Sequence, residues 1–253
     1  MSHWAERSEA IKTSLKLRTE PIAFRRLQDA AELDGIEGVI RWTAGSVFCQ
    51  IPFMARVGKL TVAVTGDDKL NYRCKRIHGL IPSRESDVDA ECVQLSRTWF
   101  PSPEEAMKQQ KDYPVVPPGH AIVAAPLDKA TFEPDMVMIF GNPAQIMMLL
   151  CGMQKVRYEL FEFTFIGEGA CMDSFGRYYA TGKTSVAIPC YGERAMGQVA
   201  DDEITLALPP AELDRAIEGL AILAKVGFGY PISNIGGFTD PLPFLGQIYT
   251  DRK

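Results

Sequence analysis

Histidine is scarce in this sequence, which has only His3, His78 and His120 among 253 residues. His78, four residues after Cys74, is the only one in a cysteine context. Imidazole metal sites need several histidines, and a cysteine nucleophile needs a nearby base. The scarcity therefore argues against a histidine-rich metal site and a Cys–His catalytic pair, and a lone loop histidine such as His78 is more simply solvated.

Several motifs are also missing. There is no CxxC pair, no Cys/His finger spacing, no GxxxxGK[ST] and no GxSxG. The stretch GEGACM begins like a dinucleotide-binding loop, but Met172 stands where the third glycine is required. The sequence thus carries no motif of a zinc finger, a P-loop, a serine hydrolase or a dinucleotide-binding protein.

Long apolar runs and an excess of basic residues are absent as well. The best run, IMMLLCGM, is far shorter than the roughly 18–20 residues that cross a bilayer. The charge is −5, from 27 basic and 32 acidic residues, which gives no footprint for nucleic acid. The N-terminus lacks the pattern of a signal peptide. We therefore expect a cytoplasmic protein without a membrane or nucleic-acid partner.

The apolar spacing and turn residues predict a mixed α/β fold. We expect helices at 3–17, 46–59, 102–111, 142–155 and 210–227, with Ser46, Ser102 and Asn142 as N-caps and with Glu105 and Gln145 completing capping boxes. Strands are expected at 21–27, 38–42, 60–65, 135–140, 159–167, 184–189 and 203–209. Residues 81–120 outside the helix at 102–111, and a tail at 228–253, are predicted to be irregular.

Two segments, 20–125 and 134–227, share a layout in which a helix cysteine is followed by a strand and then by a loop cysteine. The cysteines are Cys49 then Cys74, and Cys151 then Cys171. Identity between the segments is low, so an internal duplication is a hypothesis. We expect two similar α/β halves packed as one globular unit that comprises residues 1–253.

Six cysteines in a cytoplasmic chain of this length do not indicate a disulfide framework. Cys171 and Cys190 each follow a predicted strand beside glycines, and Cys74 lies among basic residues in NYRCKR. Amides freed in glycine turns can point at anionic sulfur, and nearby positive charge stabilises a thiolate. With Cys49 as the fourth sulfur, these positions are candidate metal ligands.

The remaining candidates have simpler explanations. Cys151 lies within MMLLCGM and is expected to pack as a small apolar side chain, and Cys92 has no supporting context. Glu193 and Arg194 follow Cys190 and would either pair with each other or orient a carboxylated substrate. Arg194 and Lys75 are therefore candidate contacts to a substrate or to the charge of a cofactor.

The order of several segments resembles the domain-of-unknown-function family 169, an uncharacterised group of archaea and anaerobic bacteria. The segments are PIAFRRL, FCQIPFMARVGKLTVAVTGDDKLNYRC, PDMVMIFGNPAQIMMLLCG, GEGACMDSF and TSVAIPCYGERAMGQVADDEITLALPPAELDRAIEGL. The resemblance implies that the positions of Cys49, Cys74, Cys171 and Cys190 are typically cysteine. This chain departs from the family where KRIHG follows Cys74, since members often carry glycines there. The resemblance implies a fold and a site, but no activity.

The leading hypothesis is a [4Fe–4S] cluster held by these four cysteines, which would transfer electrons or act as a Lewis acid on a small molecule in anaerobic metabolism. Its partners would be a small molecule or a redox partner protein, and the sequence leaves open whether the chain forms a homo-oligomer. A structural zinc–thiolate site, a metal-free module that binds a small ligand beside buried cysteines, and a thiol redox switch remain alternatives. Whether the protein is an enzyme is left open by the sequence.

Overall fold

The structure is a computed structural model that describes residues 2–233, 240–243 and 246. Within residues 2–233 the α-helices are α1 His3–Leu15, α2 Ala30–Asp34, α3 Gln50–Arg56, α4 Tyr72–Ile77, α5 Glu85–Leu95, α6 Pro103–Asp112, α7 Pro143–Val156, α8 Phe175–Thr181, α9 Tyr191–Ala195 and α10 Glu212–Lys225. The strands are β1 Ile22–Leu27, β2 Ile40–Arg41, β3 Val62–Thr65, β4 Ala121–Pro126, β5 Met136–Gly141, β6 Ser185–Ala187 and β7 Ile204–Leu208. The predicted mixed α/β class is confirmed.

All seven strands form one mixed sheet in the order β2-β3-β4-β1-β5-β7-β6. Only β2 and β3 pair in parallel, and the other neighbours are antiparallel. The strands of 20–125 occupy one side of the sheet and those of 134–227 the other. They meet where β1 pairs with β5, with Ala23 opposite Val137.

Apolar cores cover both faces of the sheet, because successive strand residues point to opposite faces. In β1, Ala23 and Leu27 belong to the core that α1, α7 and α10 cover, whereas Ile22 and Phe24 belong to the core under α3, α4 and α8. We call the second one the cysteine face, because Cys74 and Cys171 pack there. Cys151 lies on α7, on the opposite side of the sheet.

Local capping chemistry explains why several helices begin where the sequence predicts. Asn142 and Gln145 form the predicted capping box at α7, with reciprocal bonds of 2.9 and 2.7 Å. Ser102 caps α6 by accepting a bond of 3.3 Å from the amide of Glu105. In the described residues the Glu105 carboxylate accepts no hydrogen bond from the amide of Ser102, so only one of the two bonds of the predicted capping box is formed.

Several predictions of local structure are wrong, among them three outside the helices. Residues 159–167 form no strand, although their alternation favours one. Ser46 does not cap α3, because the helix begins at Gln50 after a tight turn and Cys49 takes the N-cap position. His78 is not solvated but has no exposed surface. The predicted irregular tail at 228–253 lies largely outside the described residues.

The segment 81–120 is more regular than predicted, since it contains α5 as well as α6. These two helices pack on each other through Cys92, Leu95 and Ala106 and form a small separate core. Among the described residues, no helix has both the length and the apolar character to span a membrane.

Candidate functional site

The structure brings together the four cysteines predicted as ligands. Burial raises the pKa of the Cys171 thiol well above its usual value, and the neighbouring Glu193, Cys49, Cys74 and Cys190 raise it further. Burial likewise raises the pKa of Cys49, followed by the charges of Glu193, Cys190 and Cys74. All six cysteines lie in the described residues and are free thiols. We call the four converging cysteines the thiol site.

Gly192 and Gly197 lie where the segments of Cys49 and Cys190 meet. The Sγ atoms of Cys49 and Cys190 each lie 3.7 Å from the position that a Cβ atom would occupy on Gly192. The two sulfurs are therefore less than twice that distance apart. Gly197 has a similar role, because a Cβ there would lie 2.6 Å from the carbonyl oxygen of Cys49. The turn of α9 can thus pack directly against the start of α3.

Cys190 lies at the N-cap of α9 and receives several backbone hydrogen bonds. Its sulfur accepts from the amide of Glu193, and the Glu193 carboxylate accepts from the amide of Cys190 at 3.0 Å. Amides of Gly169 and Ala170 also lower the pKa of this thiol, although burial and the Glu193 charge outweigh them and raise it. These N–H groups form a concave donor surface around one sulfur.

Cys171 lies in a short 3₁₀ turn, Ala170–Met172, and not at a strand end as predicted. Gly167 and Gly169 both have positive φ, 84° and 81°, a conformation that glycine adopts without strain. Their turns lead the irregular chain from residue 166 into the site. Cys171 is only 8% exposed.

Cys74 lies within α4, although the sequence predicts a loop there. Asn71 caps this helix and accepts from the amide of Cys74 at 3.4 Å. The sulfur accepts from the amide of Phe48 at 3.4 Å, immediately before Cys49. Burial raises the pKa of Cys74, against the lowering effects of that bond and of the Arg73 charge. The four thiols are therefore protonated near neutral pH, unlike the thiolate of a reactive cysteine.

A buried ion-pair network that the sequence analysis missed connects two cysteine segments. Arg73, next to Cys74, donates to Glu168 at 2.7 Å, and Glu168 lies three residues before Cys171. Arg73 also pairs with Glu91 of α5 at 2.5 Å and donates to the hydroxyl of Tyr113. The network anchors the turn before Cys171 to α4. Its residues are far apart in sequence, so no local pattern could have indicated it.

His78 packs behind the site in a neutral form. Its ring stacks on Phe48 with centroids 3.6 Å apart, and Nδ1 is 2.8 Å from the carbonyl oxygen of Cys74. Burial lowers the pKa of His78 to about 3. The sequence indicated its nearness to Cys74 but not its burial.

The charged groups of the predicted contacts Arg194 and Lys75 donate hydrogen bonds to backbone carbonyl oxygens. Arg194 donates to the carbonyl oxygens of Ala200 and Glu203, and Lys75 donates to that of Gly66 at 2.8 Å. In the described residues Arg194 forms no ion pair with Glu193. Glu193 is instead buried beside Cys190, and burial raises its pKa to about 7.

The described part of the chain contains no group of three or more His, Cys, Asp or Glu side chains that could hold a metal ion as the side chains stand. The thiol site nevertheless gathers four sulfur atoms of the kind that bind zinc and iron.

The fold and this arrangement define a mixed α/β protein with four converging thiols at one face of its sheet. The chain belongs to the domain-of-unknown-function family 169, described as uncharacterised ArCR, which matches residues 10–219. The resemblance stated from the sequence is thereby confirmed. An uncharacterised protein of Methanocaldococcus jannaschii is 28% identical over 180 residues, which cover 70% of this chain and 77% of that protein. No solved structure is significantly similar.

Proposed function

We propose that the chain binds one [4Fe–4S] cluster through Cys49, Cys74, Cys171 and Cys190. The observation that carries this proposal is the convergence of the four thiols from four separate segments of the chain. Cysteine thiolates are the usual ligands of such clusters, one for each iron. The proposal takes the protein to be cytoplasmic, where thiols remain reduced.

The backbone around the sulfurs supports a cluster. Cys190 receives amide hydrogen bonds from two segments, and Cys74 receives one from Phe48. Hydrogen bonds to sulfur offset the negative charge of a thiolate-bound centre and adjust its reduction potential. Buried thiols that serve only as small apolar side chains do not need such donors.

A structural zinc ion would use the same four thiolates. A cluster separates its ligand sulfurs more widely than one ion does, because each cysteine binds a different iron. Metal and sulfide analysis therefore distinguishes the two centres.

Four cysteine ligands favour electron transfer over substrate activation. A Lewis-acid role needs an iron with an open coordination position, whereas here each iron would have its own cysteine. The bound cluster would supply one-electron redox chemistry. The residues of this chain would hold it below a shallow polar depression lined by Ser46, Gln50, Lys69, Asn71 and Met196. A redox partner protein would exchange the electron at this surface.

Anoxic purification tests the proposal directly. The protein should be brown and contain about four irons and four acid-labile sulfides per chain, in line with the ligand count of such a cluster. Cys→Ser variants at each of the four positions should lose most of the iron. Cys151→Ser is the matched control, because Cys151 lies on α7 outside the site, and it should retain full iron content.

Two results would overturn the proposal. Protein that stays colourless and free of iron after anoxic reconstitution would favour the metal-free ligand-binding module. Its candidate site would be the cavity of about 490 Å³ that Arg76, Tyr113 and Met172 line. One zinc per chain without sulfide would instead favour the structural zinc site.

A further inference from the structure

An apolar groove of about 630 Å³ lies outside the thiol site, between α7, β6 and the irregular segment before Cys171. Its lining includes Ile146, Met147, Leu150, Phe163, Phe165 and Ile188. Several large side chains here are open to water, including Leu160 at 71%, Phe163 at 57% and Phe165 at 70% exposed. Contiguous apolar patches of this kind mark interaction sites on soluble proteins.

The backbone beside the groove lacks partners. Residues 160–165 make no backbone hydrogen bond to any described residue. The segment is nevertheless held at both ends. Gln154 donates to the carbonyl oxygen of Glu159 at 2.7 Å, and the amide of Ile166 donates to Asp173 at 2.8 Å. A tethered segment with unsatisfied N–H and C=O groups is a template for strand pairing.

The sequence of this segment favours a strand. Residues 161–165, FEFTF, alternate aromatic and polar residues, and in an extended chain Phe161, Phe163 and Phe165 share one face. The sheet of the same chain does not use these residues, since it ends at β6. Within the described part of one chain, this strand-like segment therefore pairs with no other strand.

The segment complements itself in an antiparallel arrangement centred on Phe163. In that register Phe163 faces its own copy, Phe161 faces Phe165, and Leu160 faces Ile166. Glu162 faces Thr164, so no two carboxylates lie directly opposite each other. Opposed carboxylates would destabilise the pairing. Aromatic pairs across strands contribute roughly 0.2–1 kcal/mol each.

The exposed area is on the scale of a dimer interface. Tyr158, Leu160, Phe163, Phe165 and Ile188 are all more than half exposed. Since an aromatic side chain carries roughly 150–250 Å², these residues expose several hundred Å² per chain. A standard interface buries about 800 Å² on each partner, which the groove and the paired strands together approach.

We propose that a second copy of this chain covers the groove, by antiparallel pairing of residues 160–166 of two chains about a two-fold axis through Phe163. The pairing satisfies the backbone groups of alternate residues of the segment and buries the exposed phenylalanines of both chains. A two-fold contact uses the same patch on both chains, as a self-complementary strand requires. This inference does not depend on the cluster proposal.

Light scattering coupled to gel filtration tests the assembly. The wild-type chain should elute with twice the monomer mass of 28.0 kDa. Phe163→Lys should elute as a monomer, because it places a charge at the centre of the interface. Val115→Lys is the matched control, since Val115 is 86% exposed and lies outside the groove. It should remain a dimer, and the circular dichroism spectra of both variants should match that of wild type, which shows that each variant is folded.

Cross-linking tests the register. Phe163→Cys should form an inter-chain disulfide under mild oxidation, because the two copies of position 163 face each other. Phe165→Cys should not, since four residues separate the two copies of position 165 along the paired strands, about 14 Å. Wild-type protein shows the background from the natural cysteines.

The proposal would be overturned if the wild-type chain stayed monomeric over a 100-fold range of protein concentration. A chain shortened after residue 233 would then show whether residues 234–253 cover the groove. A dimer that survives Phe163→Lys would overturn it as well, because the contact would lie elsewhere. Equal cross-linking of Phe163→Cys and Phe165→Cys would exclude the register.

Discussion

The sulfurs of Cys49 and Cys190 flank Gly192, and each lies 3.7 Å from the place where a side chain would begin on that glycine. Gly192 does not have a positive φ, so the backbone there accepts alanine. An alanine methyl at position 192 would therefore contact both sulfurs at van der Waals distance without straining the turn, with the flexible end of Met196 as its nearest neighbour at 3.3 Å. Gly192 can thus be changed to test the site without removing a ligand.

Gly192→Ala should lower cluster content while leaving the fold intact. The added methyl group meets both sulfurs at van der Waals distance and restricts their movement toward iron. We expect iron content to fall by more than half after anoxic reconstitution, with a change in unfolding free energy below about 1 kcal/mol. Gly229→Ala is the control, because no atom lies within 4 Å of its added methyl. Full iron loading of Gly192→Ala would contradict the prediction.

Alkylation of the metal-free protein should be slow at the thiol site. Burial raises the pKa of Cys171 and limits access to it, and each unit of a raised pKa cuts the thiolate fraction about tenfold. With iodoacetamide at pH 8, we expect Cys171 to react more than about tenfold slower in native protein than in urea-unfolded protein. Peptide mapping by mass spectrometry would measure both rates. Equal rates would show that the site is open, as a redox switch requires.

The contact between α7 and α10 should tolerate no side chain at Gly219. A Cβ there would lie 1.7 Å from the carbonyl oxygen of Gly152, so the two helices would have to separate. Gly219→Ala should cost about 3 kcal/mol or more in urea unfolding. Gly152→Ala meets its nearest atoms at 3.1 Å and should cost about 1 kcal/mol. A smaller loss for Gly219→Ala than for Gly152→Ala would refute the packing.

A buried ion pair ties α3, which follows Cys49, to the loop after α9. Arg56 and Glu203 are 3.1 Å apart, with side chains only 1% and 4% exposed. Arg56→Met should destabilise the fold by about 3 kcal/mol, the low end for a broken buried ion pair, because the Glu203 carboxylate keeps only the half-exposed Arg18 at 3.7 Å and the amide of Ala200 as partners. The double variant Arg56→Met/Glu203→Gln should recover part of this loss. Chemical unfolding of the two variants measures the difference, and additive losses would show that the charges do not interact.

The sequence predicted those parts of the fold that depend on interactions between residues close together in the chain. The cap of α7 depends on Asn142 and Gln145, three residues apart, and the helix begins as predicted. The interior strand β4, Ala121–Pro126, is not predicted, although β5 is equally buried on both faces and is predicted. Residues 159–167 are predicted as a strand from their alternation, but no strand of the described sheet pairs with them.

The sequence predicted which cysteines form the site, but not the elements that carry them. Its pattern selects Cys49, Cys74, Cys171 and Cys190, yet it predicts a loop at Cys74 and a strand end at Cys171. The structure assigns them to a helix and to a 3₁₀ turn. It also adds His78 and Glu193 as buried neighbours. Burial depends on segments far away in the chain, so local spacing could not reveal it.

The sequence by itself determined the mixed α/β class, five of the ten described helices, six of the seven described strands and the family, because these follow from periodicity and capping within a few residues and from the order of segments along the chain. Only the tertiary structure decided that four distant thiols meet, that Cys151 lies across the sheet from them, and that a strand-like segment remains unpaired. The reason is physical: a side chain's neighbours are set by how the sheet and helices pack, and that packing is a property of the whole chain.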